Sequence, residues 1–461
     1  MAEPDFTAGP VAILGMGREG RSAWRYLRAQ HPGLRLDLLD EAPPDPQFAA
    51  GLGPLDRLVH RSLDQAGLER YALLVRSPGI SPYREPLERA RRAGVRVTTP
   101  TRLWFAAHPG ARTICITGTK GKSTTSALLA QVLAAAGRRV CLAGNIGKPL
   151  LDFDGADAGV DWWVIELSSY QIADLEARPG VAVLLNLSPE HLDWHGSEAA
   201  YRRDKLRLAA LADGNPVIAN AADPVLRAEL AGVANLTWFN DPAGIRAADG
   251  HLHDGGRTLP ASLPAGLPGA HNLSNLAAAL TVVRRIGEDV AQALAAAADF
   301  RPLPHRLQLL GEESGRRFVN DSISSTPVAT AAALETFAGQ DVVLVVGGFD
   351  RGLDWKPYLQ TFAVRTPLAV IGIPDNGPRI LDALREGGIR PAAGLHAQPD
   401  LAAAVALARQ LAPAGALVLL SPGAPSFPQF RDYRDRGRQF AALGGFEIEE
   451  WDIWGQSKVP E

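Results

Sequence analysis

Thr113-Ile-Cys-Ile-Thr-Gly-Thr-Lys-Gly-Lys-Ser-Thr-Thr125 decides the fold. Its apolar start, Ile114 to Ile116, predicts a buried strand. Gly118 to Gly121 predicts a tight turn, and Lys122-Ser123 the opening of a helix. Glycines in such a turn let backbone N–H groups close round a phosphate, and the helix N-terminus adds a favourable dipole. Lys122 can then reach the terminal phosphates of a nucleoside triphosphate, and Ser123 can hold Mg²⁺. The loop is tighter than the common GxxxxGK[ST] form, because its first glycine is Gly118. The plain alternative is an ordinary strand–turn–helix connection, which a Gly-x-x-Gly-Lys-Ser-Thr run at a helix start rarely is.

Outward from this stretch the chain repeats an α/β rhythm. Upstream, Pro10–Leu14 reads as a buried strand, Gly15-Met-Gly-Arg-Glu-Gly20 as a turn and Arg21–Gln30 as a helix. A second strand, Leu34–Leu39, ends at Asp40. A GxGxxG turn with an acidic residue about 20 positions later is the dinucleotide-binding pattern, although the same turn holds any nucleotide diphosphate. Leu73–Gly79 and Val95–Val97 read as further parallel strands. His108-Pro-Gly110 is read as a linker. Downstream, the apolar runs at Val140–Leu142, Trp163–Glu166, Val181–Leu185 and Pro216–Ala219 alternate with helical patterns, which predicts a mostly parallel sheet covered on both faces. The helix beginning near Ala270 and an Ala-rich one ending near Ala298 close that segment. Phe300–Pro304 is a second linker. Val342–Gly348, Leu368–Ile373 and Ala416–Leu420 repeat the pattern, and disorder is expected after Trp454. The expected fold is α/β with three domains: a Rossmann-like domain over 1–107, a central P-loop-type ATPase domain with a parallel sheet over 108–300, and a Rossmann-like C-terminal domain over 301–461.

Composition narrows the function. Two or three domains follow from 461 residues. With 47 Lys and Arg against 50 Asp and Glu there is no basic field, which argues against nucleic acid as the main partner. No apolar run is long enough to span a bilayer, and the N-terminus lacks a signal-peptide pattern. Cys115 and Cys141, in apolar segments, are expected to be buried thiols in a reducing compartment, so the cytoplasm is the expected location. Only six lysines stand among those 47 cations, and four of them are Lys120, Lys122, Lys148 and Lys205. In an Arg-rich chain a retained lysine can mark a need for a primary amine. Chance clustering is the alternative.

The central segment carries the chemistry. Glu166 ends a buried strand, where parallel sheets place ligands, and is a candidate Mg²⁺ ligand. The loop Asn186-Leu-Ser-Pro-Glu-His-Leu-Asp-Trp-His-Gly196 holds two imidazoles and two carboxylates, with Lys205 on the following helix, Glu198–Leu211. That grouping suggests a metal or phosphate site, but its spacing is wrong for zinc.

Gly118–Thr124, Gly144-Asn-Ile-Gly147, Glu166-Leu-Ser-Ser169, His191-Leu-Asp-Trp-His-Gly196 with Lys205, Gly269-Ala-His-Asn272 and Leu303-Pro-His-Arg306 recur in this order in the Mur ligases, which build the peptide stem of peptidoglycan. The chain resembles that family over essentially its whole length. Asn320-Asp-Ser322, Leu420-Ser-Pro-Gly-Ala-Pro-Ser426 and Gln429-Phe430 are most similar to the members that add glutamate to UDP-N-acetylmuramoyl-L-alanine. The resemblance implies roles residue by residue. Arg18, Glu19, Asp40 and Ser77 would meet the UDP part, and Asn145 the muramoyl-alanine part. Gly118, Thr119, Lys120, Gly121 and Lys122 would hold the β- and γ-phosphates of ATP. Ser123 or Thr124 with Glu166 would hold one Mg²⁺. His191 and Lys205, the lysine carbamylated, would hold a second. Asn272 would contact adenine, Arg306 the phosphates and Asp321 the ribose. The implied reaction moves the γ-phosphate onto the alanine carboxylate, and the glutamate amine then attacks the acyl phosphate. The implied partners are these small molecules, and a monomer is expected.

One departure matters. Glutamate-adding members usually carry a lysine after Asn-Asp-Ser, where this chain has Ile323. Ser325 stands in place of a threonine, and Arg351 where a lysine is commoner. Fork and point donors are not equivalent in a carboxylate pocket. With Ser421 and Phe430 completing the acceptor side, the pattern is similar to a diverged subgroup that adds L-glutamate, with D-glutamate as the alternative. Competing classes are an NAD-dependent dehydrogenase, a folate polyglutamylating ligase and a non-catalytic nucleotide-binding scaffold.

Overall fold

The computed structural model describes residues 4–41, 46–153, 159–190, 192–260, 271–300 and 303–448. These form two compact units divided between Ala298 and Asp299. The first unit holds two parallel sheets. One runs, edge to edge, Asp56–His60, Leu36–Asp40, Val11–Leu14, Leu73–Arg76 and Arg96–Thr98. The strand order reverses between Val11–Leu14 and Leu73–Arg76, so the turns after those strands flank a crevice, the usual ligand position in an open parallel sheet. The other sheet runs Leu236–Phe239, Val217–Asn220, Val181–Leu184, Thr113–Thr117, Trp162–Glu166 and Val140–Gly144. Its register sets Ile116 opposite Glu166, which delivers that carboxylate beside the glycine turn. A small antiparallel sheet, Ile245–Ala248, His251–Asp254 and Arg257–Thr258, completes the unit.

The second unit has one sheet: Gln308–Glu313, Arg316–Asn320, Leu417–Leu420, Val342–Gly347, Ala369–Ile373 and Leu395–Ala397. All its pairings are parallel except the first, an antiparallel edge. Asn320 and Val345 both pair with Leu420, so Asp321, Ser421 and Gly347 emerge at the same carboxyl edge.

Several sequence expectations need correction. The helix expected from Arg21 opens at Arg18, because Gly20 lies inside it, tight against the Gly15 carbonyl where a Cβ would collide. Cys115 is fully buried, its thiol pushed up to about 12 by desolvation, but Cys141 is only half-buried. His108, in the connecting segment, is buried and stacks on Trp104 at 4.6 Å, and Trp104 meets Trp163 of the central sheet at 4.8 Å. That connection is a packed joint, not a tether. The strands Asp56–His60, Gln308–Glu313 and Arg316–Asn320 have no apolar run to betray them, because the first two are half-exposed edges and the third pairs with one of them. The tail beyond Trp454 lies outside the described residues. Among the described residues no helix is long and apolar enough to cross a membrane.

Candidate functional site

The turn after Thr113–Thr117 has a shape that suits a phosphate. Gly121 has φ of +81°, and a Cβ there would run into the Asn275 side chain, so glycine is required on both counts. Asn275 is buried and donates to Asn272 Oδ1 at 2.8 Å, which brings Asn272 against the turn. Asn186 clamps the turn from the other side. Its Oδ1 accepts from the Lys120 amide at 2.8 Å, its Nδ2 donates to the Lys120 carbonyl at 3.0 Å, and its own carbonyl accepts from the Thr119 amide at 2.9 Å. Thr119 Oγ1 shares a hydrogen bond with Tyr201 at 2.7 Å. Two side-chain amines meet on one carbonyl: Lys122 Nζ donates to Gly118 O at 3.0 Å and Thr119 O at 2.9 Å, and Lys205 Nζ donates to Gly118 O at 2.8 Å.

Lys205 is 2% exposed. Burial, reinforced by the neighbouring Lys122 ammonium, drives its pKa well below the ordinary lysine value. That shift favours the neutral, nucleophilic form of the amine, which suits it to covalent modification. Glu166 is 1% exposed. Its Oε1 accepts from Asn145 Nδ2 at 2.7 Å, while its buried Oε2 has no hydrogen-bond partner. A buried, half-satisfied carboxylate beside a phosphate cradle is an oxygen donor set to receive a hard cation, so these residues fit Mg²⁺. Ser123, 7% exposed, brings a hydroxyl to the first turn of the helix that follows the glycine turn. Thr124 follows it in the first helical turn. His191 lies outside the described residues. Among those described, no group of three or more His, Cys, Asp or Glu could hold a metal.

A second cleft of about 330 Å³ opens where the first sheet meets the central one. Its lining includes Arg18, Glu19, Ser77, Asn145, Ser168 and Tyr170. Arg18 donates to Gly147 O at 2.8 Å and Asn145 O at 3.1 Å, tying the Gly15–Gly20 turn to the Gly144–Gly147 turn. Desolvation pushes Glu19 up to about 7, against the pull of Arg18. Ser77 Oγ donates to Gly15 O at 2.6 Å. Asp40 accepts from the Met16 amide and so shapes the turn from outside this lining.

In the second unit, Asp321 is buried and pushed up to about 7 by desolvation, against Ser421 and Arg306. Ser421 Oγ donates to its Oδ2 at 2.8 Å, and the Leu307 amide to its Oδ1 at 3.2 Å. Burial holds His305 down at about 4. Ser325 is half-buried and Arg351 exposed, while Phe430 is buried in the apolar core. Sequence reasoning missed Arg436, although it is fully buried and joins the three motif segments of this edge. It donates to Ser322 Oγ and O at 3.0 and 2.8 Å, to Ala424 O at 3.0 Å and to Gly347 O at 3.3 Å. An arginine in an Arg-rich helix, Asp432-Tyr-Arg-Asp-Arg-Gly-Arg438, carries no local signal of that role.

Three family models match the chain: "Mur ligase MurD-like, N-terminal domain" over residues 9–99, "Mur ligase middle domain" over 116–283 and "Mur ligase, glutamate ligase domain" over 305–423. A protein of Xanthomonas axonopodis pv. citri named UDP-N-acetylmuramoyl-L-alanine–L-glutamate ligase is 48% identical over 95% of both chains. One of the same name from Micromonospora is 42% identical over 95% of this chain and 96% of its own. Among solved structures, a MurF ligase of Thermotoga maritima in complex with ADP aligns with a TM-score of 0.58 at 18% identity, covering 95% of each chain. That last likeness speaks to fold alone.

Proposed function

The chain belongs to the Mur ligase family of ATP-dependent, ADP-forming ligases, and from that premise we propose that it joins L-glutamate to UDP-N-acetylmuramoyl-L-alanine in peptidoglycan precursor synthesis. One arrangement carries the reading. Lys122 and Lys205 converge on the Gly118 carbonyl beside Glu166, whose Oε2 is buried without a hydrogen bond. The domain limits 1–107, 108–300 and 301–461 are part of the proposal, as is a cytoplasmic monomer.

The steps follow from the residues. The amides of Gly118–Gly121 and the Lys122 ammonium hold the β- and γ-phosphates and offset the charge that repels an incoming carboxylate. Asn145 orients the alanine end from the cleft that Arg18, Glu19 and Ser77 line, with Asp40 fixing the turn above it. An alanine carboxylate oxygen bonds to the γ-phosphorus as ADP leaves. The glutamate amine then attacks the acyl phosphate carbonyl, loses a proton, and phosphate departs, leaving an amide. Ser123 or Thr124 with Glu166, and His191 with a carbamylated Lys205, would hold two Mg²⁺ ions. Those ions would supply Lewis-acid stabilisation of the transferring phosphoryl group. Asn272, Arg306 and Asp321 would contact adenine, phosphate and ribose.

Lys205 becomes an oxygen ligand when its neutral amine adds CO₂ and loses a proton. This places an anion, in place of an amine, next to the Lys122 ammonium. Labelling with ¹³C-bicarbonate is expected to give a carbamate resonance that Lys205→Arg abolishes. Its absence from active wild-type protein would remove the carbamate from the site.

The acceptor preference rests on Ile323 and Arg351. Ile323 is half-buried next to Ser322 and brings no charge to the acceptor carboxylates. Arg351 is exposed on a turn anchored by Asp350, which Arg379 grips at 2.7 and 2.5 Å. Its fork offers two parallel donors to a carboxylate, with Ser325, Ser421 and Phe430 shaping the rest of the pocket. The expected result is faster ATP-dependent phosphate release with L-glutamate than with D-glutamate, by tenfold or more if one well-placed ion pair discriminates. Faster turnover with D-glutamate reverses the assignment.

A further inference from the structure

We propose that His195 is a positioning residue for the phosphate-transfer centre, and that Tyr83 couples it to the nucleotide cleft of the first sheet. The proposal rests on the reading of Glu166 and Lys205 given above.

The His195 side chain is 0% exposed. Its Nδ1 donates to Asp204 Oδ2 at 2.7 Å, and its Nε2 is hydrogen-bonded to Ser169 Oγ at 2.9 Å. Asp204 immediately precedes Lys205 on one helix. Ser169 stands three residues after Glu166, and His195 four after His191. One imidazole therefore ties the segment that carries Glu166 to the helix that carries Lys205. The ring also packs edge-on against Tyr201 at 5.2 Å, whose hydroxyl reaches Thr119 of the phosphate turn. Ser169 is itself buried, 2% exposed, so this Ser–His–Asp row has no substrate to attack and serves to hold geometry.

The other Asp204 oxygen accepts from the Tyr83 hydroxyl at 2.6 Å. Tyr83 ends a segment whose beginning, Ser77 to Ile80, forms a wall of the cleft. That segment is tied to the His195 loop twice more. Trp194 Nε1 donates to Gly79 O at 3.1 Å, and Ser81 Oγ donates to Trp194 O at 2.8 Å. Trp194 stacks on Tyr170, another wall residue, at 4.2 Å and 15°. Below the wall, fully buried Arg76 donates to Ser77 O at 3.2 Å and is paired with Asp174 at 2.7 Å. A ligand that orders the wall thus bears on Asp204, and through it on Lys205. By linkage, metal occupancy at the centre must bear equally on affinity in the cleft.

Mn²⁺ binding to the full chain with ADP, followed by electron paramagnetic resonance, tests this with and without UDP-N-acetylmuramoyl-L-alanine. In wild type the nucleotide sugar is expected to tighten Mn²⁺ binding severalfold. His195→Asn is expected to weaken Mn²⁺ by roughly tenfold or more, the usual effect of losing a group that orients metal ligands. Tyr83→Phe is expected to keep the Mn²⁺ affinity of the sugar-free protein within about twofold and to abolish the tightening, a readout that a merely structural hydroxyl would not move. If His195→Asn fails to fold, Ser169→Ala takes its place with the same expectation. No tightening in wild type, or full tightening in Tyr83→Phe, overturns the proposal. Tightening that depends on Tyr83 in a protein releasing no phosphate with either glutamate supports the coupling and removes the ligase reading alone.

Discussion

Lys122→Ala is expected to lower ATP-dependent phosphate release by roughly 10³-fold, the usual loss when a group stabilising transition-state charge is deleted. The expectation comes from where the ammonium sits. It is folded over the glycine turn, held by Gly118 O and Thr119 O at 3.0 and 2.9 Å, so its charge is fixed at that turn. In the proposed reaction a negatively charged carboxylate approaches a negatively charged γ-phosphate there, and a fixed cation costs no reorganisation at that moment. Lys122→Arg is expected to fail nearly as badly. A planar fork cannot follow the short path between two carbonyls that a point donor follows. The cradle amides remain in both variants, so ADP affinity should fall far less than turnover. Phosphate release by Lys122→Ala within tenfold of wild type would sink the assigned role and favour a non-catalytic nucleotide-binding protein.

Arg436→Ala is expected to destabilise the second unit by about 3–5 kcal/mol, the range seen when one member of a buried polar network is removed. The guanidinium is fully buried and desolvation drags its pKa down to about 9, with Asp321 pulling the other way. That cost is offset in the native structure because its donors reach the carbonyls of Ser322, Gly347 and Ala424 together. Truncation leaves those carbonyls buried without a donor, each costing about 1–3 kcal/mol before relaxation. Arg436→Lys should recover little, since one ammonium cannot span three segments. Amide hydrogen exchange in the strands Arg316–Asn320 and Leu417–Leu420 is the appropriate measurement, because the two units need not unfold together. Protection unchanged to within about 1 kcal/mol would show that Arg436 is not the joint described. The first unit should keep its protection throughout.

The legible parts of this protein share a property: their chemistry is local. Thr113–Thr125 announces a strand, a turn and a helix because its glycines, lysine and hydroxyls all act within a few residues of one another. The Gly15–Gly20 turn is readable for the same reason, and apolar runs mark strands buried on both faces. Edge strands such as Asp56–His60 escaped because one of their faces stays wet. The candidate site was legible one residue at a time through Lys122, Glu166 and Lys205, the last helped by the scarcity of lysine. His195 was seen only as a second imidazole in a loop, and Arg436 not at all.

The sequence by itself determined the α/β class, the glycine turn before a helix, the family and the departure at Ile323 and Arg351, since each is written in contiguous residue types. The tertiary structure alone decided that Lys205 shares the Gly118 carbonyl with Lys122, that Glu166 keeps one buried oxygen free of hydrogen bonds, and that Tyr83 reaches Asp204. These pairings join residues from 4 to 121 positions apart, and the longest runs from a turn after one sheet's strand to a helix beside the other sheet. Nothing in local composition specifies them. Strand order and register do, by bringing the carboxyl ends of parallel strands to one edge where burial raises the value of every charge and hydrogen bond.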